Sequence, residues 1–373
     1  MRRIYLDANA TTPLDSRVRA AMEPFLECGN ASSPHAEGRA ARSAVDRARE
    51  QVAALLGAEP REILFTSGAT ESNALALLGA IAARGILRVL CSAVEHPSVL
   101  RTLEALRPRV DLVVAPVDGE ARVADDLAVP EGAGLVSLML ANNETGTIQP
   151  VAAVAARARE RGAIVHCDGV QACGKLPVRV RDLGVDLFSM SGHKIHGPKG
   201  VGALFVRRGL RLQPLYHGGE HERGLRAGTE NVAAIVGLGA AAELASSERA
   251  ERCARWERLT RTLLERLVAD LPGLLPNVPA LRIPNTLNIT IPGAEGEAVL
   301  LGLDLEGIAV ATGSACSSGA AEPSHVLQAM GRTREQAEQS IRISLHADSC
   351  ESDVARLAEA LPRVVKKLRA LHV

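Results

Sequence analysis

The chain has 373 residues, 47% apolar and 23% charged, which is enough for two domains with real cores and excludes a peptide, a finger or a small disulfide scaffold. Forty-three Lys and Arg balance forty-three Asp and Glu, so no global basic field recruits nucleic acid. One Trp, two Tyr and four Phe are too few rings to stack successive bases, so recognition rests on a local site.

In chain order, a polar N-terminal turn near Asp7 leads into a helical stretch at 36–57. Short apolar runs near 62–66, 86–91, 111–115, 134–140, 163–167, 185–189 and 201–206 then read as strands. Helical patterns near 70–83, 97–107 and 151–161 separate several of them, which predicts an α/β domain with a largely parallel sheet. Ligands of such sheets sit beyond the carboxyl ends of the strands, so the residues just after each strand are the place to look for chemistry. One long helix is expected over 231–269, followed by the Pro/Gly-rich stretch 271–279 as a domain boundary. Beyond it, strands near 286–291 and 341–345 and helices near 295–303 and 351–371 predict a smaller α+β domain. The division expected is an N-terminal segment 1–15 packing with the small domain, a large domain 16–270 and a small domain 271–373.

The seven cysteines are odd in number and lack C-x-x-C spacing, which argues against a disulfide framework and a structural zinc site and fits a reducing cytosol. His217 and His221 are four apart, but Gly218-Gly219 between them spoils a zinc helix, so no metal is expected. No uncharged run approaches the roughly 18 residues of a membrane span, and no signal peptide opens the chain, so a cytoplasmic protein without membrane contact is expected.

Three strand-end clusters carry chemistry. Ser191-Gly192-His193-Lys194 places a lysine where desolvation can make its amine nucleophilic toward an aldehyde. Alone, it reads more readily as a surface lysine in a glycine turn. Asp168 ends the buried run Ile164-Val165-His166-Cys167, where a carboxylate calls for a cationic partner; a protonated pyridine nitrogen is one, and a turn cap is the plainer reading. Thr66-Ser67-Gly68-Ala69-Thr70-Glu71-Ser72 closes a strand and opens a helix, an anion site of the kind a phosphate monoester occupies, or simply a capped helix start.

With Tyr5-Leu6-Asp7-Ala8-Asn9-Ala10-Thr11-Thr12-Pro13, Gly29-Asn30-Ala31-Ser32-Ser33-Pro34-His35, Glu95-His96, Asn142-Asn143-Glu144-Thr145-Gly146, Asp168 to Gln171, His221-Glu222-Arg223-Gly224, Arg226-Ala227-Gly228-Thr229 and Ala311 to Cys316, these stretches resemble the cysteine desulfurases of the pyridoxal-phosphate-dependent class V aminotransferase family over essentially the whole chain. The resemblance is to the iron–sulfur-cluster branch, and it implies the fold-type I architecture. It implies that Lys194 holds the cofactor aldehyde covalently, that Asp168 meets the pyridine nitrogen and that Gln171 meets the phenolic oxygen. Ala69 through its backbone, Thr70, Ser191 and His193 would hold the phosphate, and His96 would stack on the ring and shuttle protons. Arg342, supported by Asn143, would grip the substrate carboxylate.

Cys316 lies in the small, polar run 313–323, whose composition favours an exposed loop over a core strand. By the resemblance it is the nucleophile that takes sulfur from L-cysteine, releases L-alanine and passes the persulfide sulfur on. The expected partners are a second copy of the chain, whose Thr229 reaches the neighbouring cofactor phosphate, and a sulfur acceptor such as an iron–sulfur scaffold. His346 to Cys350 stands where many relatives carry Gly-Arg, which leaves the acceptor open. The alternatives the residues leave are a selenocysteine lyase, an aminotransferase, or a catalytically silent sulfur-relay subunit.

Overall fold

A computed structural model describes residues 3–313 and 322–371. The N-terminal strand β1 (Ile4–Tyr5) starts the chain, and after the helix Ala36–Leu56 come the strands of a large sheet. They are β2 (Ile63–Thr66), β3 (Arg88–Ser92), β4 (Asp111–Ala115), β5 (Leu135–Ser137), β6 (Ile164–Asp168), β7 (Leu187–Ser191) and β8 (Gly202–Val206). Their order across the sheet is β2-β8-β7-β6-β5-β3-β4. The pairs from β7 to β4 are parallel, while β8 runs antiparallel to both β2 and β7.

Central strands covered on both faces should be apolar throughout, and β6, β7 and β8 are buried along their full lengths. The polar exceptions are His166 and Asp168 on β6 and Ser189 and Ser191 on β7, and the sheet satisfies His166 from both sides. Its Nδ1 lies 2.9 Å from Ser137 Oγ on β5 and its Nε2 lies 3.1 Å from Ser189 Oγ on β7. Burial pushes its pKa down to about 4, so the imidazole is neutral at physiological pH.

The helical region expected over 231–269 forms two helices, Val232–Ser247 and Arg249–Asp270. The break falls at Glu248, where the Ser247 hydroxyl turns back to donate to the Glu243 carbonyl at 3.0 Å. A serine hydroxyl that competes for helix carbonyls weakens the turn it sits in. The first of the two packs against Ala36–Leu56, and a Cβ on Gly239 would come within 2.6 Å of the Ala48 backbone, so the approach requires glycine.

Beyond β9 (Leu275–Pro276), the strands β10 (Thr286–Thr290) and β12 (Ser340–Ser344) form a separate antiparallel sheet with β10 central. The short strand β11 (Ile308–Ala309) pairs in parallel with β1. Ile4 and Leu6 share an apolar cluster with Trp256, Leu287, Ile343 and Leu361, so the chain's start is packed among residues from its last third. From Thr12 onward the same segment bonds the large sheet's turns: Thr12 N donates to the His193 carbonyl at 2.8 Å and Asp15 N to the His196 carbonyl at 3.1 Å. Among the described residues no helix is long and apolar enough to cross a membrane.

Candidate active site

The carboxyl ends of β3, β6 and β7 and the start of β8 border a cavity of about 620 Å³, a size that suits a small organic ligand. Asp168 is the last residue of β6 and Ser191 the last of β7. His193 and Lys194 follow in a single 3-10 turn, Gly192–Lys194. His96 caps the helix Pro97–Glu104, and Ala69 and Thr70 open the helix Ala69–Arg84. All of these line the cavity, as do Asn143, Gln171 and Arg342. Thr229 is exposed and is not part of the cavity wall. Cys316 lies outside the described residues.

The anion cradle is set by a turn that only glycine permits. Gly68 has φ 156° at the helix start, and Gly202 of β8 sits so close that a Cβ on it would meet the Gly68 backbone at 2.8 Å. The first N–H groups of the Ala69–Arg84 helix have no carbonyl behind them within the helix and face an anion favourably. Glu71 braces the turn by accepting from Ser67 N at 2.7 Å. His193 adds a ring nitrogen that stays neutral, because burial first, and then Lys194 and Lys199, push its pKa down to about 4.

Asp168 is held through both oxygens. Asn73 Nδ2 donates to Oδ2 at 2.8 Å and Val170 N donates to Oδ1 at 3.0 Å, and Asn73 also reaches Ser98 Oγ at 2.9 Å. His96 is fixed by its capping role, since its Nδ1 accepts from Ser98 N at 3.1 Å. That bond leaves the proton of a neutral ring on Nε2. Burial keeps the ring below the ordinary imidazole range, with Lys194 and His325 acting the same way against Asp168. Lys194 Nζ donates to the carbonyls of Asn9 at 2.5 Å and Ala10 at 2.8 Å, so the N-terminal segment forms the wall behind the amine.

Arg342 comes from the middle of β12 and is 3% exposed. Its Nη2 donates to Asp7 Oδ1 at 2.7 Å and its Nη1 to the Asn143 carbonyl at 3.1 Å, while its buried Nε has no acceptor. A buried guanidinium with a donor unmet is an incomplete site for an anion.

Pyridoxal phosphate offers a phosphate, an aldehyde and a ring nitrogen, and the cavity offers a helix start, a lysine amine and a buried carboxylate to match them. The residues present therefore fit that group, with Ala69, Thr70, Ser191 and His193 at the phosphate and Asp168 at the ring nitrogen. Asp7, Asn9 and Asn73, and Lys175 behind Gln171, are residues at the site to which sequence reasoning gave no role. A signal existed for Asn73, which with Ser72 is a polar residue at the start of an otherwise apolar buried helix face, and for Lys175, a lysine close behind a buried strand.

The class-V aminotransferase family matches residues 4–357. A cysteine desulfurase of Trichormus azollae is 46% identical over 376 residues, covering 99% of this chain and 94% of its own length. A solved NifS-like protein superposes with a TM-score of 0.92 at 38% identity, covering 98% of this chain and 100% of that one. A second structure, SspA in complex with cysteine, gives 0.80 at 33% identity over 92% of this chain and 98% of the other. With the match spanning nearly its full length, the chain belongs to the pyridoxal-phosphate-dependent class-V aminotransferase family, among its cysteine desulfurases.

Proposed function

We propose that the protein converts L-cysteine to L-alanine and retains the sulfur as a persulfide on Cys316 for transfer to an acceptor. The observation that carries this is the unmet Nε of Arg342 in the same cavity as Lys194 and Asp168: a place for an amino-acid carboxylate beside a place for the cofactor. Bound pyridoxal phosphate supplies an electron sink for the pair left at the amino acid's Cα.

The chain's own residues do the rest. Arg342 and Asn143 bind the carboxylate and set which substituent of Cα faces Lys194. The Lys194 amine takes the Cα proton, and His96, with its transferable proton on Nε2, stands on the same cavity wall. The Cys316 sulfur attacks the substrate sulfur, so that an S–S bond forms as the C–S bond breaks. The electron pair of the broken bond is returned to Cβ as a C–H bond, and L-cysteine plus thiol become L-alanine plus persulfide without any external oxidant. Gly313 lines the cavity, and Cys316 follows three residues later, a chain length of at most about 10 Å.

The working assembly is a homodimer in which Thr229 serves the partner's phosphate. Thr229 is exposed, and the segment before it is anchored by Glu222, whose carboxylate receives Arg49 at 2.7 and 2.9 Å and Phe65 N at 3.0 Å. That anchor holds Glu222 and Arg223 at φ 47° and 59°, a left-handed backbone that carries a cost in strain for residues other than glycine. The acceptor is a sulfur-carrying or iron–sulfur scaffold protein, and an odd number of cysteines without C-x-x-C spacing suits a cytoplasmic setting. Incubation with L-cysteine tests the reading: alanine and a Cys316 persulfide are expected, and Cys316→Ser abolishes both while still binding cofactor and substrate. Mixing Lys194→Ala with a Thr229-disabled variant should restore activity through hybrid dimers.

A further inference from the structure

Lys175 is a buried lysine to which the reaction above gives no task. It is 6% exposed, and its Nζ donates to Gln171 Oε1 at 2.6 Å. Gln171 in turn donates from Nε2 to the Asn9 carbonyl at 3.0 Å, the same carbonyl that receives Lys194 Nζ. The Asn9 carbonyl cannot swing away, because Asn9 is tied down by its own side chain to the Asn143 carbonyl at 3.0 Å and Thr286 Oγ1 at 2.8 Å.

These contacts decide which way the Gln171 amide faces. A flipped amide would set NH₂ against the Lys175 ammonium, donor to donor, and oxygen against the Asn9 carbonyl, acceptor to acceptor. With one Nε2 hydrogen spent on Asn9, the second is left for the cavity that Gln171 lines. A serine or glutamine at position 175 can donate or accept and would leave the choice of flip to the Asn9 carbonyl alone, whereas a charged lysine has only donors and adds a second constraint of the same sign.

We propose that Lys175 is a positioning residue that locks the Gln171 amide so that it presents an N–H, and never an oxygen, to the phenolic oxygen of the cofactor. This rests on reading the cavity as the pyridoxal phosphate site with Gln171 at that oxygen. Keeping a lysine buried here has a recognisable cost: burial, and then the nearby charges of Lys194 and Arg342, lower its pKa to about 7, against the opposing effect of Cys173 and Cys253. In either protonation state an N–H remains for Oε1, and the Asn9 carbonyl enforces the same flip.

The test uses the full-length protein stripped of cofactor and titrated with pyridoxal phosphate, reading its dissociation constant and the absorption maximum of the bound form. Lys175→Met is expected to weaken binding about tenfold, as losing a charge-assisted hydrogen bond should, and to move the absorption maximum. Lys175→Arg, which keeps the donor, should restore both. In a Gln171→Ala background Lys175→Met should add nothing, because the lysine acts only through the amide. The melting temperature of each stripped variant separates misfolding from mispositioning, and if Lys175→Met does not fold, Lys175→Gln is read in the same cycle with a smaller loss expected. Lys175→Met matching wild type in both readouts, or an effect undiminished without Gln171, would overturn the proposal alone. Failure of the wild type to take up pyridoxal phosphate would overturn the reading of the cavity together with it.

Discussion

Asp168 and Arg342 are both charged, both about 95% or more buried, and both in one cavity, yet they are held differently. Each oxygen of Asp168 has a partner, Asn73 Nδ2 or Val170 N, whereas Arg342 keeps Nε unmet even after Asp7 and Asn143 are counted. A group that works on a permanently seated partner can be fully braced by the protein, while one that must take up and release an anion on every turnover needs a donor left open. On the proposed function, the carboxylate that meets the cofactor is braced by the fold and the guanidinium that meets the substrate is completed by the substrate.

The largest effect should come from removing the group on which both sides converge. Lys194→Ala is expected to lower desulfuration by roughly 10⁴-fold or more, as loss of a proton-transfer group does, and to remove the covalent cofactor band. A borohydride-reduced cofactor recovered on any other lysine would break the assignment. Next, Arg342→Ala should lower kcat/KM by about 10²- to 10³-fold, the scale of truncating one partner of a buried charge pair, with cofactor affinity unchanged. Asn73→Ala tests the opposite side: cofactor affinity should fall by about five- to tenfold with KM for L-cysteine close to wild type. If the two variants exchanged phenotypes, the contrast drawn between the two sides would be wrong.

Much of this was open to sequence reasoning and some was not, for physical reasons. Alternation of short apolar runs with helical periods placed the large-sheet strands, because buried parallel strands are apolar throughout. The direction of β8 was not legible, since side-chain alternation is the same whichever way a strand runs. Nor was the interruption at Glu248, which falls in the polar run Ser246-Ser247-Glu248-Arg249 with no Gly or Pro to mark it. Asp168 and Lys194 stood out because one ends a strand and the other follows closely on a strand's end. Asp7 and Asn9 did not, because they act through partners 335 and 277 residues away, Arg342 and Thr286, that no local pattern announces.

The smallest predicted effect concerns Glu95, which is wholly buried next to His96 and outside both sides of the comparison. Burial raises its pKa from an ordinary 4.5 to about 8, although Ser92 Oγ at 2.6 Å and Met139 N at 2.9 Å favour the charged form. Between those two values the folded chain binds a proton that the unfolded chain has released, so its contribution to stability declines as pH rises from about 4.5 to about 8. Glu95→Gln should flatten that decline, and denaturant melts of both forms at pH 5 and pH 8 would show it. An unchanged slope would mean that Glu95 is ionised in the folded state.

The most direct test of the central claim is a single turnover of the purified, cofactor-loaded protein with L-cysteine, counting alanine released and locating the added sulfur by peptide mass spectrometry. The account predicts one alanine for each persulfide, with the extra sulfur on Cys316 and both products absent in Cys316→Ser. Alanine formation that survives Cys316→Ser, or an added sulfur carried by any of the other six cysteines, would contradict it.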